Sequence, residues 1–458
     1  MFSFMKQKPG FYKQVVLLAT PVVLQNLITS TLGMADTFMV GMLGEAPMAA
    51  VTLANIPLFV VQLFIFGVQS GSSVLTSQYW GKQEMEAINR VLGVALWVVL
   101  VVSSLFAAVL IACPVEFLSL FGNEQEVIEL AAQYGSIAGV SYVCNAFTMM
   151  YVAVYRSMER PQLGMYILVM SMTVNTFLNW VLIFGNLGAP ALGVRGAALA
   201  TLTARILEIL VVVLHMMKSR FFQVHLHLLL RPGLDMFRRF LRYGSLVVFN
   251  ETTWGLGASV FPTIMGHMEG STEILAAYTV AGNIDKICMV VSFGLGATAS
   301  IIIGREVGAG RPQQVRPVGM AMCALALMCG TVIGLLLFLF ARFLAPAWVF
   351  PLFQMSARSS SIAVMMMTIQ SLIRPLRDFN SVAIVGVLRG GGDVRMATII
   401  DTSPQWLIAI PAAVLLGSVL KLDIFWVYLA TTLENIVKFG LGLWRFRSDS
   451  WVRDLTRA

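Results

Sequence analysis

The sequence predicts an all-α polytopic membrane protein, with twelve transmembrane helices in two six-helix, pseudo-symmetric lobes. Three observations carry that prediction. Of the 458 residues 58% are hydrophobic and only 12% charged, against about 25% charged in soluble domains. The apolar residues gather into runs of about 20 or more, enough for a helix to cross a hydrocarbon core about 30 Å thick. Two stretches about half a chain apart also repeat each other.

The first expected span, 14–40, follows Lys6, Lys8 and Lys13 and contains Pro21 and Asp36. A basic start before an apolar run suits a secretory signal, but this run exceeds a signal core and lacks a small-residue cleavage site. It reads as a retained helix. Spans 48–76, 91–113, 127–154, 163–185 and 195–217 complete the first half, separated by charged or turn residues such as Lys82, Arg90 and Arg156. The basic segment after them, with Arg231-Pro232-Gly233, is the natural linker. The second half supplies 240–264, 275–303, 317–341, 359–388, 395–417 and 423–444. The expected organisation is an N-terminal lobe over 1–217, a cytoplasmic linker over 218–239, a C-terminal lobe over 240–444 and a cytoplasmic tail over 445–458.

Charge sets the orientation. The chain holds 31 Lys+Arg against 23 Asp+Glu, a formal +8. With the N-terminus placed in the cytoplasm, 22 of the basic residues fall in cytoplasmic segments, and the outer loops hold only Arg195, Arg342, Arg358 and Lys421. This positive-inside pattern predicts that both termini are cytoplasmic. It also removes the nucleic-acid reading of the basic excess, which is spread over short loops and not gathered on one domain. Cys113, Cys144, Cys288, Cys323 and Cys329 lie in or beside apolar runs, so they read as reduced apolar fillers. With four His they furnish neither a metal cluster nor a disulfide framework. A membrane-embedded enzyme is disfavoured, since neither a His-Glu-x-x-His nor a Gly-x-Ser-x-Gly motif occurs.

Shifting 48–81 by 227 residues aligns Thr52 with Thr279, Phe66 with Phe293, Gly67 with Gly294, Ser73 with Ser300 and Gly81 with Gly308. Arg156 falls on Arg389 at a similar offset. Six helices per half return the chain to its starting side, so the repeat is parallel, related by an axis along the membrane normal. The halves differ in charge, because Asn145 falls on Asp378 and Leu27 on Glu251.

An acid at bilayer depth costs about 2.5 kcal/mol or more, so each one is a functional candidate until partnered. Asp36 lies in the first span, Glu208 in the sixth, Glu251 in the seventh, Asp285 in the eighth, Asp378 in the tenth, Asp401 in the eleventh and Glu434 in the twelfth. Arg205 with Glu208 and Lys438 with Glu434 have helical spacing for local neutralisation, as does Arg374 with Asp378. Asp36 and Glu251 have no obvious partner. Asn175 and Asn179 share one face of the fifth helix and Thr201 and Thr203 lie on the sixth. With Asp36 these neutral oxygens suit a proton or a small hard cation, while Thr203 is better read as interhelical glue. Pro21 removes one backbone bond and is a candidate hinge.

The residues resemble the multidrug and toxic compound extrusion (MATE) family. The likeness runs through Ala19-Thr20-Pro21 with Asp36-Thr37, the Gly81 segment, Tyr155-Arg156-Ser157-Met158-Glu159-Arg160-Pro161, Glu251, and Gly386-Val387-Leu388-Arg389-Gly390. It implies a monomeric secondary antiporter of the plasma (inner) membrane that exports organic cations or amphipathic toxic compounds against H⁺ or Na⁺, with no other cofactor. It further implies an N-lobe coupling site of Asp36, Asn175, Asn179 and Thr201, and a C-lobe site of Glu251 with Asp378. Asp401 and Glu434 are further intramembrane acids. Some relatives carry an acid where this chain has Asn179. A lipid-linked precursor flippase of the same broader superfamily is the alternative, and the intramembrane acids argue against its usually cationic cavity.

Overall fold

A computed structural model of the chain describes residue 7 and residues 9–122, 124–353 and 355–456. Lys6, Lys8 and Arg457, counted in the charge pattern, lie outside the described residues, as does the side chain of Thr37.

Among the described residues twelve long helices form in chain order. They are α1 (Phe11–Gly41), α2 (Glu45–Lys82), α3 (Met85–Ala112), α4 (Gln125–Ser157), α5 (Gln162–Phe184), α6 (Gly193–Lys218), α7 (Leu234–Gly266) and α8 (Ser271–Gly308), then α9 (Pro312–Val349), α10 (Ala357–Asn380), α11 (Val394–Val419) and α12 (Ile424–Arg447). No strand occurs among the described residues. Helices dominate because the bilayer offers backbone groups no water, so each segment must satisfy its own N–H and C=O groups. Nine of the twelve, among the described residues, are long and apolar enough to cross a membrane. The other three, α7, α10 and α12, carry Glu251, Asp378 and Glu434 respectively.

Local chemistry sets several ends. Ser356 accepts from the Ser359 backbone N–H to cap α10, and Asp423 caps α12 through the Phe425 N–H at 2.8 Å, each satisfying a donor the first turn leaves open. Gly185 ends α5 with φ 74°, where a Cβ is penalised. Wider π-type turns interrupt the α-helical pattern at Phe340–Val349, Gln405–Ala409 and Leu415–Val419, and at Ser381–Leu388, which continues α10. Such turns cluster at functional sites, because the extra residue per turn rotates everything that follows.

The chain divides into two compact units. One comprises Met1–Val23 with Phe249–Ala458, the other Leu24–Val248, so α1 is divided two residues after Pro21. In the first unit two apolar clusters form, one where Phe11, Val15 and Leu18 of α1 pack with α8, α9 and the π turn of α10, the other around Met265, Met366, Met367 and Val427. In the second unit Leu58, Leu110 and Ile128 anchor the packing of α2, α3 and α4. The linker belongs to the second unit. Buried Asn89 of α3 donates to Gln223 O at 3.1 Å and accepts from the His225 N–H at 3.0 Å, satisfying backbone groups that the linker could not bury unpaired.

Candidate functional site

In the second unit four of the expected residues converge. Asn179 Nδ2 of α5 donates to Asp36 Oδ1 of α1 at 2.7 Å. Asn175, one turn earlier, lies 3.2 Å from Thr201 Oγ1 of α6. With its amide turned over, Asn175 donates to Asp36 Oδ1 at 3.1 Å and accepts from Thr201. In that orientation two amides converge on one carboxylate oxygen. Both asparagines are buried, and among the described residues Asn179 Oδ1 has no hydrogen-bond partner. Among the described residues no Lys or Arg pairs with Asp36. The nearby base, Arg205, is taken by Glu208 at 2.6 Å. The acid is therefore held by neutral donors, and Arg205 acts on it only electrostatically, without an ion pair. Tyr134 of α4 is within electrostatic reach of Asp36 and Arg205, and no spacing in the sequence pointed to it.

Thr203 departs from expectation. Its hydroxyl bonds Leu199 O of its own helix at 2.8 Å, so it ties α6 to itself and is not interhelical glue. Thr201 makes the same internal bond, to Ala197 O at 3.0 Å, and still faces Asn175.

The first unit arranges its acids differently. Glu251 of α7 is not partnerless, because Arg389 Nη1 lies 2.6 Å from Glu251 Oε1. Arg389 stands at the end of the π turn in α10 and is almost wholly buried. The glycines around it permit this. A Cβ at Gly386 would lie 2.8 Å from Ala299 Cβ, and one at Gly390 would lie 2.8 Å from Ser300 Cα, so α10 and α8 approach closely only because both positions lack side chains.

Asp378 goes elsewhere. Arg374 Nε lies 3.0 Å from Asp378 Oδ1, and Arg374 Nη1 lies 2.9 Å from Asp285 Oδ1 of α8. Arg377 adds a 2.6 Å contact to Asp285 Oδ2. Two arginines thus balance two acids. Among the described residues no hydrogen bond or ion pair joins Glu251 and Asp378, and each has its own guanidinium. Asp401 of α11 accepts from Asn250 Nδ2 at 2.9 Å and from Lys438 Nζ of α12 at 3.1 Å. Lys438 also lies 3.3 Å from Glu434. The local pair read from spacing therefore forms, but its lysine is shared. The bases at 374, 389 and 438 offset these acids, because a buried carboxylate without a partner is expensive.

The sequence matches the MatE family over residues 21–181 and 252–415. It is 23% identical over 447 residues to the "Probable multidrug resistance protein NorM" of Thermotoga maritima, covering 97% of this chain and 94% of that one. It is 26% identical over 430 residues to the "Probable multidrug resistance protein YoeA" of Bacillus subtilis, covering 92% and 90%. Among solved structures it resembles the eukaryotic MATE transporter AtDTX14, with a TM-score of 0.83 and 19% identity over 97% of both chains. An outward-facing multidrug resistance MATE family transporter of the MOP superfamily matches with a TM-score of 0.85 and 18% identity, covering 99% of this chain and 98% of that one. A MOP superfamily transporter from Pyrococcus furiosus, described as having a binding pocket of reverse polarity, matches with a TM-score of 0.84 and 19% identity over 98% of both.

Proposed function

The chain belongs to the MatE family, whose match spans both halves of the sequence, and from that premise we propose a secondary active multidrug efflux antiporter. MATE proteins are transporters, not enzymes. The proposed cargo is an organic cation or amphipathic toxic compound, exchanged for inward H⁺ or Na⁺, with no other cofactor. The multidrug-resistance names of the relatives from Thermotoga maritima and Bacillus subtilis support the cargo class.

One observation carries the coupling. Asp36 is held by the amides of Asn179 and Asn175 and, among the described residues, forms no ion pair, so its carboxylate is open to an ion. An ion and a drug are coupled when each binds one of two states better than the other, and only that difference drives exchange. Asp36, Asn175, Asn179 and Thr201 are the proposed coupling set of α1, α5 and α6, Pro21 the proposed hinge, and Glu251 and Asp378 the proposed contribution of the second half. We place the protein in the plasma (inner) membrane as a monomer with both termini cytoplasmic and six-helix lobes over 1–217 and 240–444. A lipid-linked precursor flippase is not favoured, because the bases at 374, 389 and 438 are paired with acids.

The test is efflux of a fluorescent organic cation such as ethidium from proteoliposomes under an imposed H⁺ or Na⁺ gradient. Gradient-dependent movement is expected in the wild type and is lost in Asp36→Asn. Movement independent of either gradient, or undiminished in Asp36→Asn, refutes the coupling.

A further inference from the structure

In the first unit the start of α1 meets the turn between α8 and α9 at a cavity of about 570 Å³. Gln7 Nε2 donates to Pro317 O at 3.1 Å and so ties the chain ahead of α1 to α9. Two bases, Arg305 and Arg311, line the cavity with a single acid, Glu306. Its lining therefore carries one positive charge in excess. Glu306 is buried and takes Arg305 Nη2 at 2.9 Å and Arg311 Nε at 3.0 Å, which fixes both guanidiniums, while the Arg311 side chain stays 46% exposed.

The helix starts add to this charge. The first turns of α1 and α9 both line the cavity, through Gln14 on one and Gln313 and Gln314 on the other. A helix start carries partial positive charge that an acid commonly offsets, yet neither of these first turns holds one. Lys13 and Arg316 stand exposed on the same two helix starts. The corresponding corner of the other unit is built differently. There a cavity of about 240 Å³ is lined by Arg90 and Arg239 with Asp235, and Asp235 lies in the first turn of α7, so an acid already offsets that helix start.

Depth separates a lipid from a free anion. α1, α8 and α9 are each long and apolar enough to cross a membrane, and the cavity lies where α8 ends and α1 and α9 begin. Its lining also includes buried Ile302 and Val318, and beyond the first turns exposed side chains are apolar, Val16 and Leu17 on α1 and Met320 on α9. We propose that this cavity binds the phosphate of an anionic glycerophospholipid at the membrane surface. Basic pockets between spanning helices take such headgroups, and guanidinium matches phosphate oxygens in geometry. Free phosphate offers the same oxygens but has no acyl chain to lay on the apolar side chains.

Calorimetric titration of the purified full-length protein in an uncharged detergent compares dioctanoyl phosphatidylglycerol, dioctanoyl phosphatidylcholine and inorganic phosphate. Saturable binding is expected for the phosphatidylglycerol, tighter than for either of the others. Arg311→Gln leaves Glu306 its Arg305 partner and is expected to weaken that binding about fivefold. Glu306→Gln is expected to strengthen it, and Arg90→Gln in the other unit to leave it unchanged. Binding undiminished in folded Arg311→Gln, or diminished as much by Arg90→Gln, overturns the site. Phosphatidylcholine bound as tightly overturns the requirement for an anionic headgroup, and inorganic phosphate bound as tightly overturns the lipid as the source. Transport does not enter the measurement, so failure of the antiport reading leaves the site standing.

Discussion

Replacing Arg374 by Met isolates what a buried guanidinium contributes to α10. The side chain is wholly buried and touches Asp285 at 2.9 Å and Asp378 at 3.0 Å. Methionine keeps an unbranched apolar stem and removes the guanidinium and its charge. Asp285 still has Arg377 at 2.6 Å, so the damage concentrates on Asp378. Leaving one member of a buried pair uncompensated costs about 3–5 kcal/mol. At 1.4 kcal/mol per factor of ten, that lowers the folding equilibrium constant by roughly two to three and a half powers of ten. The assay is reversible unfolding in mixed micelles, followed by tryptophan fluorescence, with Arg374→Met, Asp378→Asn and the double variant measured together. Because replacing both partners of a buried pair is often nearly neutral, the double variant should recover most of the loss. A stable Arg374→Met, or a double variant no better than the single, refutes the claim that Asp378 depends on this arginine.

Two further predictions concern packing. Gly390→Ala places a Cβ 2.8 Å from Ser300 Cα, and overpacking of this kind costs about 1–3 kcal/mol. It should lower thermal stability, whereas Gly440→Ala, whose Cβ meets nothing within 4 Å, should leave it within about 0.5 kcal/mol of wild type. Trp451 is fully buried in the core that includes Val387 and Val318. The tail it anchors is clasped to the turn after α10 by the Arg453 N–H to Gly391 O at 2.7 Å and by Arg445 to Asp393 at 2.6 Å. Trp451→Ala should cost about 3–5 kcal/mol and expose the chain after Arg447 to trypsin. Unaltered cleavage would show that the tail is held by its ion pairs alone.

Composition and periodicity made most of the architecture legible. Runs of apolar residues about 20 long dictate spanning helices whatever their neighbours, because an unsatisfied backbone in lipid is prohibitive. The Asp36, Asn175, Asn179 and Thr201 set was also legible in part. Asn175 and Asn179 are one turn apart on one helix, and Asp36 had no base within reach on its own. What spacing could not reveal was partners from other helices. Glu251 looked unpaired because Arg389 is 138 residues away. Glu434 looked neutralised because Lys438 is four residues away, and nothing local shows that Asp401 claims the same ammonium. Tyr134 carried no signal at all.

By itself the sequence determined that this chain spans a membrane many times as helices, which segments do so, and how few acids enter the bilayer. These follow from one-dimensional quantities, the length of apolar runs and the count of charges along them. Only the tertiary structure decided which base each acid receives. Ion pairing depends on distances of about 3 Å between helices far apart in sequence, set by close approaches such as that of α8 and α10 at Gly390 and Ser300. Asp36 therefore meets amides, Glu251 and Asp378 meet separate arginines, and Glu434 is left with part of one lysine.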